Sequence, residues 1–181
     1  MLASEKFDAL QQLGQSTTAE ALELFDQLDP VDSAFMMGRW QGSGFHTGHP
    51  MDGLLEVANW YGKEFVNPDC VHPLLFLDNS GNIFKMAPNP VFVNLALRLP
   101  MPRNNFLKPL YTFLNTLQKT ENSKARLRML EFRQKLSAAM IYDEVPICDV
   151  FRKVSENTVL GLMDYKASDR PFFFVLRREM P

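Results

Sequence analysis

The 181-residue chain is predicted to be mainly β with helices at its N-terminus, an α+β chain whose strands form one antiparallel β-barrel. Three observations predict it. Residues 124–178 hold five short apolar segments joined by brief turns such as Ser155-Glu156-Asn157, which favours an antiparallel meander. Several of these segments are apolar on both faces: Ile147 and Phe151 alternate with Cys148, Val150 and Val154, and Phe172 and Phe174 with Phe173 and Val175. A sheet covered on both sides fits a barrel with helices laid outside it. Finally, Gly38-Arg39-Trp40-Gln41-Gly42-Ser43-Gly44 repeats glycine with strand periodicity around a tryptophan. Glycine inside a strand marks a bend, a bulge or the close approach of another group.

The elements follow in order. Residues 4–30 read as a helical hairpin: Phe7, Leu10 and Leu13 recur at helical spacing, Gly14 stops the first helix, and Thr18 caps a second carrying Ala21, Leu22, Phe25 and Leu28. Glu20, Glu23, Asp26 and Asp29 give that helix a solvated face. Residues 36–87 begin with the glycine-rich strand, turn at Thr47-Gly48-His49-Pro50, and continue through a helical turn over 51–57 with Asp52 as its cap. Strands at 60–66, 74–77 and 83–86 follow, with a loop around His72-Pro73. Prolines break residues 88–120 into a loop or lid, with a helix where Leu107, Leu110, Phe113, Leu114 and Leu117 share a side. Strands at 126–132, 136–142, 146–154, 158–163 and 172–178 complete the barrel.

A formal net charge of -2, with both signs interspersed, argues against nucleic acid as a partner. The most apolar run, residues 91–99, is too short for a membrane span and is broken by Asn94 and Arg98. The N-terminus lacks the pattern of a signal peptide, and two distant cysteines, Cys70 and Cys148, read as reduced thiols of a cytoplasmic protein. Fifteen phenylalanines and ten methionines supply enough bulky apolar surface to fill a core or to line a cavity.

Several polar residues are candidates for chemistry. His49, in the turn after the glycine-rich strand, is the best single candidate for a functional imidazole. His46 and His49, three apart, have no carboxylate or cysteine at ligand spacing, and His72 lies before a proline in another segment; three histidines build a zinc site only where the fold converges them, so no metal is expected. Tyr142-Asp143 ends one strand, Asp149 and Arg152 lie on the next, and Arg126 and Arg128 share a face two strands away. Facing inward these residues would form a buried polar cluster that anchors a carboxylate or phosphate; facing outward they would tie strands together. Lys63 could serve the same purpose. Cys70 near His72 is an alternative, activated thiol.

Gly38-Arg39-Trp40-Gln41-Gly42, Thr47-Gly48-His49-Pro50, Asp52-Gly53-Leu54-Leu55 and Trp60-Tyr61-Gly62-Lys63 resemble the bacterial GXWXG-domain family. The run from Arg126-Leu127-Arg128 through Met140-Ile141-Tyr142-Asp143 and Asp149-Val150-Phe151-Arg152 to Leu160-Gly161-Leu162-Met163-Asp164 resembles the domain of unknown function that accompanies it. Gly38, Trp40, Gly42 and Gly44 also satisfy the Gly-x-Trp-x-Gly-x-Gly pattern of nitrobindin-like barrels. That resemblance implies a calycin/lipocalin-like barrel and an apolar ligand. It disfavours haem as cofactor, because nitrobindins ligate iron through a histidine near the C-terminus and this chain has none after His72.

The expectation is therefore a barrel that binds an apolar or amphipathic, lipid-like or isoprenoid-like molecule. Its mouth lies near His49, Trp40 and Trp60 supply aromatic wall, and Lys63, Arg126, Arg128, Asp149 or Arg152 meet the polar end. The alternatives are an enzyme using His49, or Tyr142 with Asp143 or Asp149, for acid–base chemistry, and a homo-oligomer acting only as an interaction module.

Overall fold

A computed structural model describes residues 2–91, 112 and 115–180. Most of the proline-rich segment and its expected lid and helix lie outside the described residues. Helices α1 (Ala3–Leu13) and α2 (Thr18–Gln27) form the N-terminal hairpin. Gly14 caps α1 in the left-handed conformation at φ 71°. Thr17, not Thr18, caps α2: its hydroxyl accepts from the Glu20 amide at 3.2 Å while the Glu20 carboxylate accepts from the Thr17 amide at 2.8 Å. The two-residue strand β1 (Asp29–Pro30) and the short helix α3 (Ser33–Met36) then lead into β2 (Gly38–Gly44).

The remaining elements are α4 (Leu54–Val57), β3 (Trp60–Asn67), β4 (Cys70–Leu77), β5 (Ile83–Lys85), β6 (Ala125–Phe132), β7 (Lys135–Tyr142), β8 (Ile147–Ser155), β9 (Thr158–Tyr165) and β10 (Phe172–Arg178). Eight strands close in the order β8-β7-β6-β4-β3-β2-β10-β9, with β9 pairing back to β8, and every pairing is antiparallel. β1 and β5 add short edges on β8 and β4. Cys70, His72 and Pro73 belong to β4, so the loop expected there is a strand; a bulge accommodates the proline, whose missing N–H a regular ladder would need.

Alternation sorts the apolar residues into two cores. Trp40, Trp60, Phe65, Leu127, Met140, Phe151, Met163 and Phe174 are among those that fill the barrel. Phe7, Leu24, Phe25, Val150, Leu160, Phe173 and Val175 pack between the hairpin and the outer wall. The hairpin thus covers strands that would otherwise expose a second apolar face.

Gly42 and Gly62 carry the shape of the β2–β3 wall. A Cβ on Gly42 would fall 2.2 Å from the Trp60 ring, so this glycine makes room for the next tryptophan in the chain rather than for Trp40. Gly62, at φ 151°, sits where a Cβ would be 1.9 Å from the Trp40 carbonyl oxygen. Tyr61 is an extra residue on β3: Trp60 pairs with Phe76 and Gly62 with Leu75. This bulge resets the alternation, so Trp60 and Lys63, three apart, both face the interior.

Candidate functional site

A cavity of about 80 Å³ lies within one end of the barrel, walled by Met51, Leu55, Trp60, Leu74, Phe76, Met86, Ile147, Met163, Phe172 and Phe174 among others. Lys63, Tyr142 and Asp149 are its charged or phenolic members, and Asn89, Asn115 and Gln118 add amides. Lys63 comes from the bulged stretch of β3, Tyr142 from the end of β7, and Asp149 from the inward row of β8 that includes Ile147 and Phe151.

Lys63 and Asp149 form an ion pair at 2.8 Å with side chains only 3% and 1% exposed. Lys63 Nζ also donates to the Pro73 carbonyl at 3.1 Å and to the Tyr142 hydroxyl at 3.2 Å. The Pro73 carbonyl is in place because Pro73 and Leu74 bulge opposite Lys63, between the Gly62–Leu75 and Glu64–His72 pairs. The Tyr142 hydroxyl stands 3.4 Å from Asp149 Oδ2. Aromatic faces surround the ammonium, with ring centres at 4.9 Å for Phe174 and 5.6 Å for both Trp60 and Tyr142. Gly161 admits the Phe174 ring, which a Cβ there would meet at 2.4 Å.

Burial raises the pKa of Asp149, with Lys63 and Tyr142 acting against it. Tyr142 is pushed well above the ordinary tyrosine value by burial and then by the neighbouring Asp149 charge, so its hydroxyl stays protonated. Two polar atoms of the wall, Asp149 Oδ1 and Trp60 Nε1, are buried without a hydrogen-bond partner among the described residues.

The other sequence candidates lie elsewhere. Arg126 and Arg128 do share a face, but it is the outer one, because Ala125 and Leu127 occupy the inward positions of β6. They pair with Asp143 at 3.0 Å and Asp69 at 2.6 Å on the surface, away from the cavity. The same pair places Asp143 outside, so the acid beside Tyr142 is Asp149. Arg152 is three residues from Asp149 and therefore on the opposite face of β8. It is buried under α2, donating to the Phe132 carbonyl at 2.8 Å with its guanidinium 4.8 Å from the Phe25 ring centre.

Trp40 is fully buried and donates to the Met36 carbonyl at 2.8 Å, with the Arg178 guanidinium 4.2 Å from its ring centre; it is core and does not line the cavity. His49 pins the turn that precedes α4. Asp52 Oδ2 accepts from the Thr47 and His49 amides, both at 2.9 Å, so Asp52 organises this turn rather than capping the helix. His49 Nδ1 accepts from the Met51 amide at 3.1 Å, which places the proton of the neutral ring on Nε2. The ring lies 5.3 Å from Phe172, behind the cavity wall.

His49 has its pKa lowered by burial, opposed by Asp52 and assisted by Arg170; burial and Lys85 likewise lower that of His72. The unfolded histidines bind protons near the ordinary value of 6.5 and the folded ones bind them less, so stability is complete above that value and is lost as pH falls below it. Urea midpoints are therefore expected to decline from pH 7 to pH 5. Substituting both histidines by Gln should flatten that decline, and an unchanged slope in the double variant would contradict this origin.

Among the described residues no group of three or more His, Cys, Asp or Glu side chains is placed to hold a metal ion. The interior offers haem no histidine: His46 contacts Glu56 at 3.2 Å, His49 closes its turn, and His72 lies opposite Glu64 on β4. Both cysteines are free, and burial pushes the Cys148 thiol up to about 12, keeping it un-ionised. No helix among the described residues is long and apolar enough to cross a membrane.

The cavity residues that sequence reading missed include Phe172, Phe174, Met51, Met86 and Met163. Residues 172–175 are all phenylalanine or valine, so alternation within the strand gives no sign of which face is inward.

Comparison with known proteins places this architecture. Residues 23–81 match the family model described as "GXWXG protein", and residues 123–178 match "Domain of unknown function (DUF4334)". No curated protein matches the chain. A solved structure, "Crystal structure of protein from Thermomonospora curvata", is 33% identical over 99% of this chain and 100% of that one, with a TM-score of 0.73. The first matched segment contains β2–β4 and the second β6–β10, so neither closes the barrel alone, and Lys63 comes from one while Tyr142 and Asp149 come from the other. The chain belongs to the GXWXG protein family, in which these two segments join here in one closed eight-stranded antiparallel barrel.

Proposed function

We propose that the barrel binds a small apolar or amphipathic molecule in this cavity, with its polar end toward Lys63, Tyr142 and Asp149. One observation carries the reading: among the described residues, a wall of aliphatic, methionine and aromatic side chains surrounds the buried Lys63–Asp149–Tyr142 cluster, the composition typical of small-molecule sites. At about 80 Å³ the space is well below the roughly 300–1,000 Å³ of pockets for larger ligands. Met51, Met86 and Met163 form part of the wall, and their unbranched side chains can repack around an occupant. The free thiols fit a reducing, cytoplasmic setting.

Mass spectrometry of an organic extract of the purified protein tests the reading. A stoichiometric apolar molecule should appear with the wild type and be absent from Met163→Trp, which fills the cavity. Absence of such a molecule, together with no saturable binding of any alkane derivative from butyl to octyl, would sink it.

A second reading, acid–base catalysis on the bound molecule, is favoured by Asp149 alone: its proton affinity is raised by burial and its Oδ1 is unpartnered in the cavity wall. Once an occupant is identified, Asp149→Asn in a Lys63→Met background should retain binding and abolish any turnover. Retained turnover would exclude this role.

A further inference from the structure

The chemistry of the occupant can be narrowed, on the basis of the proposed cavity binding, by asking which polar atoms are still free to meet it. An ammonium has three N–H donors, and for Lys63 three acceptors are already in place: Asp149 Oδ2 at 2.8 Å, the Pro73 carbonyl at 3.1 Å and the Tyr142 hydroxyl at 3.2 Å. Its charge is balanced at contact distance by Asp149. A carboxylate entering the cavity would find no spare donor on Lys63 and would face the Asp149 charge. An ammonium ligand would face Lys63. In a buried, aromatic surround either charge would be desolvated without a partner of its own.

Among the described residues, the fully buried side-chain atoms of the wall left unspent are one acceptor and one donor. Asp149 Oδ1 and the Trp60 indole N–H are both buried without a partner among the described residues, and both residues line the cavity. They flank the same ammonium, since Lys63 Nζ is 2.8 Å from Asp149 Oδ2 and 5.6 Å from the Trp60 ring centre. The indole is held in place from behind by Gly42, where any side chain would overlap its ring. A hydroxyl is the smallest uncharged oxygen group that both donates and accepts, and it does so from one atom. We propose that the cavity selects an uncharged alcohol on a short apolar chain, its O–H donating to Asp149 Oδ1 and oxygen accepting from Trp60 Nε1, over the acid or amine of the same length. Lys63 then serves to hold Asp149 ionised and oriented, and does not itself bind the ligand.

Calorimetric titration of the full chain with 1-hexanol, hexanoate, hexylamine and 1-chlorohexane tests this. The expected order places 1-hexanol about tenfold or more ahead of the two charged probes. Trp60→Phe keeps a ring against Gly42 and removes the donor together with the pyrrole ring, so the added space is common to all probes; it should weaken 1-hexanol severalfold relative to 1-chlorohexane. Lys63→Met/Asp149→Leu, which removes the acceptor without stranding a charge, should abolish the preference for 1-hexanol over 1-chlorohexane. Hexanoate binding as tightly as 1-hexanol, or an alcohol preference that survives both variants, would overturn the assignment while leaving the cavity reading intact. Failure of all four probes and of their butyl to octyl counterparts to bind, with no apolar molecule in the extract, would overturn both.

Discussion

Replacing Lys63 alone by methionine is expected to destabilise the protein by about 3–5 kcal/mol, because it leaves the Asp149 carboxylate in an apolar interior without its counter-ion. The double substitution Lys63→Met/Asp149→Leu should recover most or all of that loss. A buried pair loses hydration on both members, and its mutual attraction roughly offsets that cost, so a well-packed apolar pair of similar size is close to neutral or more stable. Urea unfolding of the wild type, both single variants and the double variant measures the coupling directly. Single substitutions costing under about 1 kcal/mol would show that the pair is hydrated and that the site is not the dry cluster described above. The expected pattern also explains what the pair is for: it contributes little net stability, yet it holds a carboxylate at a fixed place in an apolar chamber.

Gly62→Ala is expected to cost about 3 kcal/mol or more. Its Cβ would lie 1.9 Å from the Trp40 carbonyl oxygen, a backbone atom of the paired strand that cannot swing aside, and the residue already sits at φ 151°, where a side chain is strained. Relief requires the β2–β3 ladder to open at the bulge that turns Lys63 inward, so loss of ligand binding should accompany the loss of stability. Gly81→Ala is the control. It also has a positive φ, 81°, but nothing lies within 4 Å of the added atom, so only the conformational cost of roughly 1–2 kcal/mol remains. Equal melting temperatures for the two variants would show that close packing at Gly62 is not what the glycine provides.

Much of the barrel was legible along the chain because its signals are local. Period-two alternation and short polar turns marked the five C-terminal strands, and the end of α1 was legible in Gly14. The misreadings were also local in cause. Thr17 and Thr18 are both competent caps, and only the reach of Glu20 back to Thr17 selects between them. Pro73 argued for a loop, yet a bulge gave it a place in β4 and turned its carbonyl to use. Of the candidate site residues, Trp60, Lys63, Tyr142 and Asp149 converge on the cavity, whereas Arg126, Arg128, Asp143 and Arg152 do not.

By itself the sequence determined the class of fold, the order of its longer helices and strands but not the short β1 and α3, and the family signature in Gly38, Trp40 and Gly42. These depend on spacing and turn chemistry, which neighbouring residues encode. Only the tertiary structure decided which face of each strand looks inward and which distant residues meet. Alternation gives relative facing within a strand but no absolute direction, and one extra residue at Tyr61 reverses it, placing Lys63 beside Trp60 in the interior. Lys63 and Tyr142 are 79 residues apart, and they touch only because β6 pairs with β4 and β9 with β8 to close the sheet.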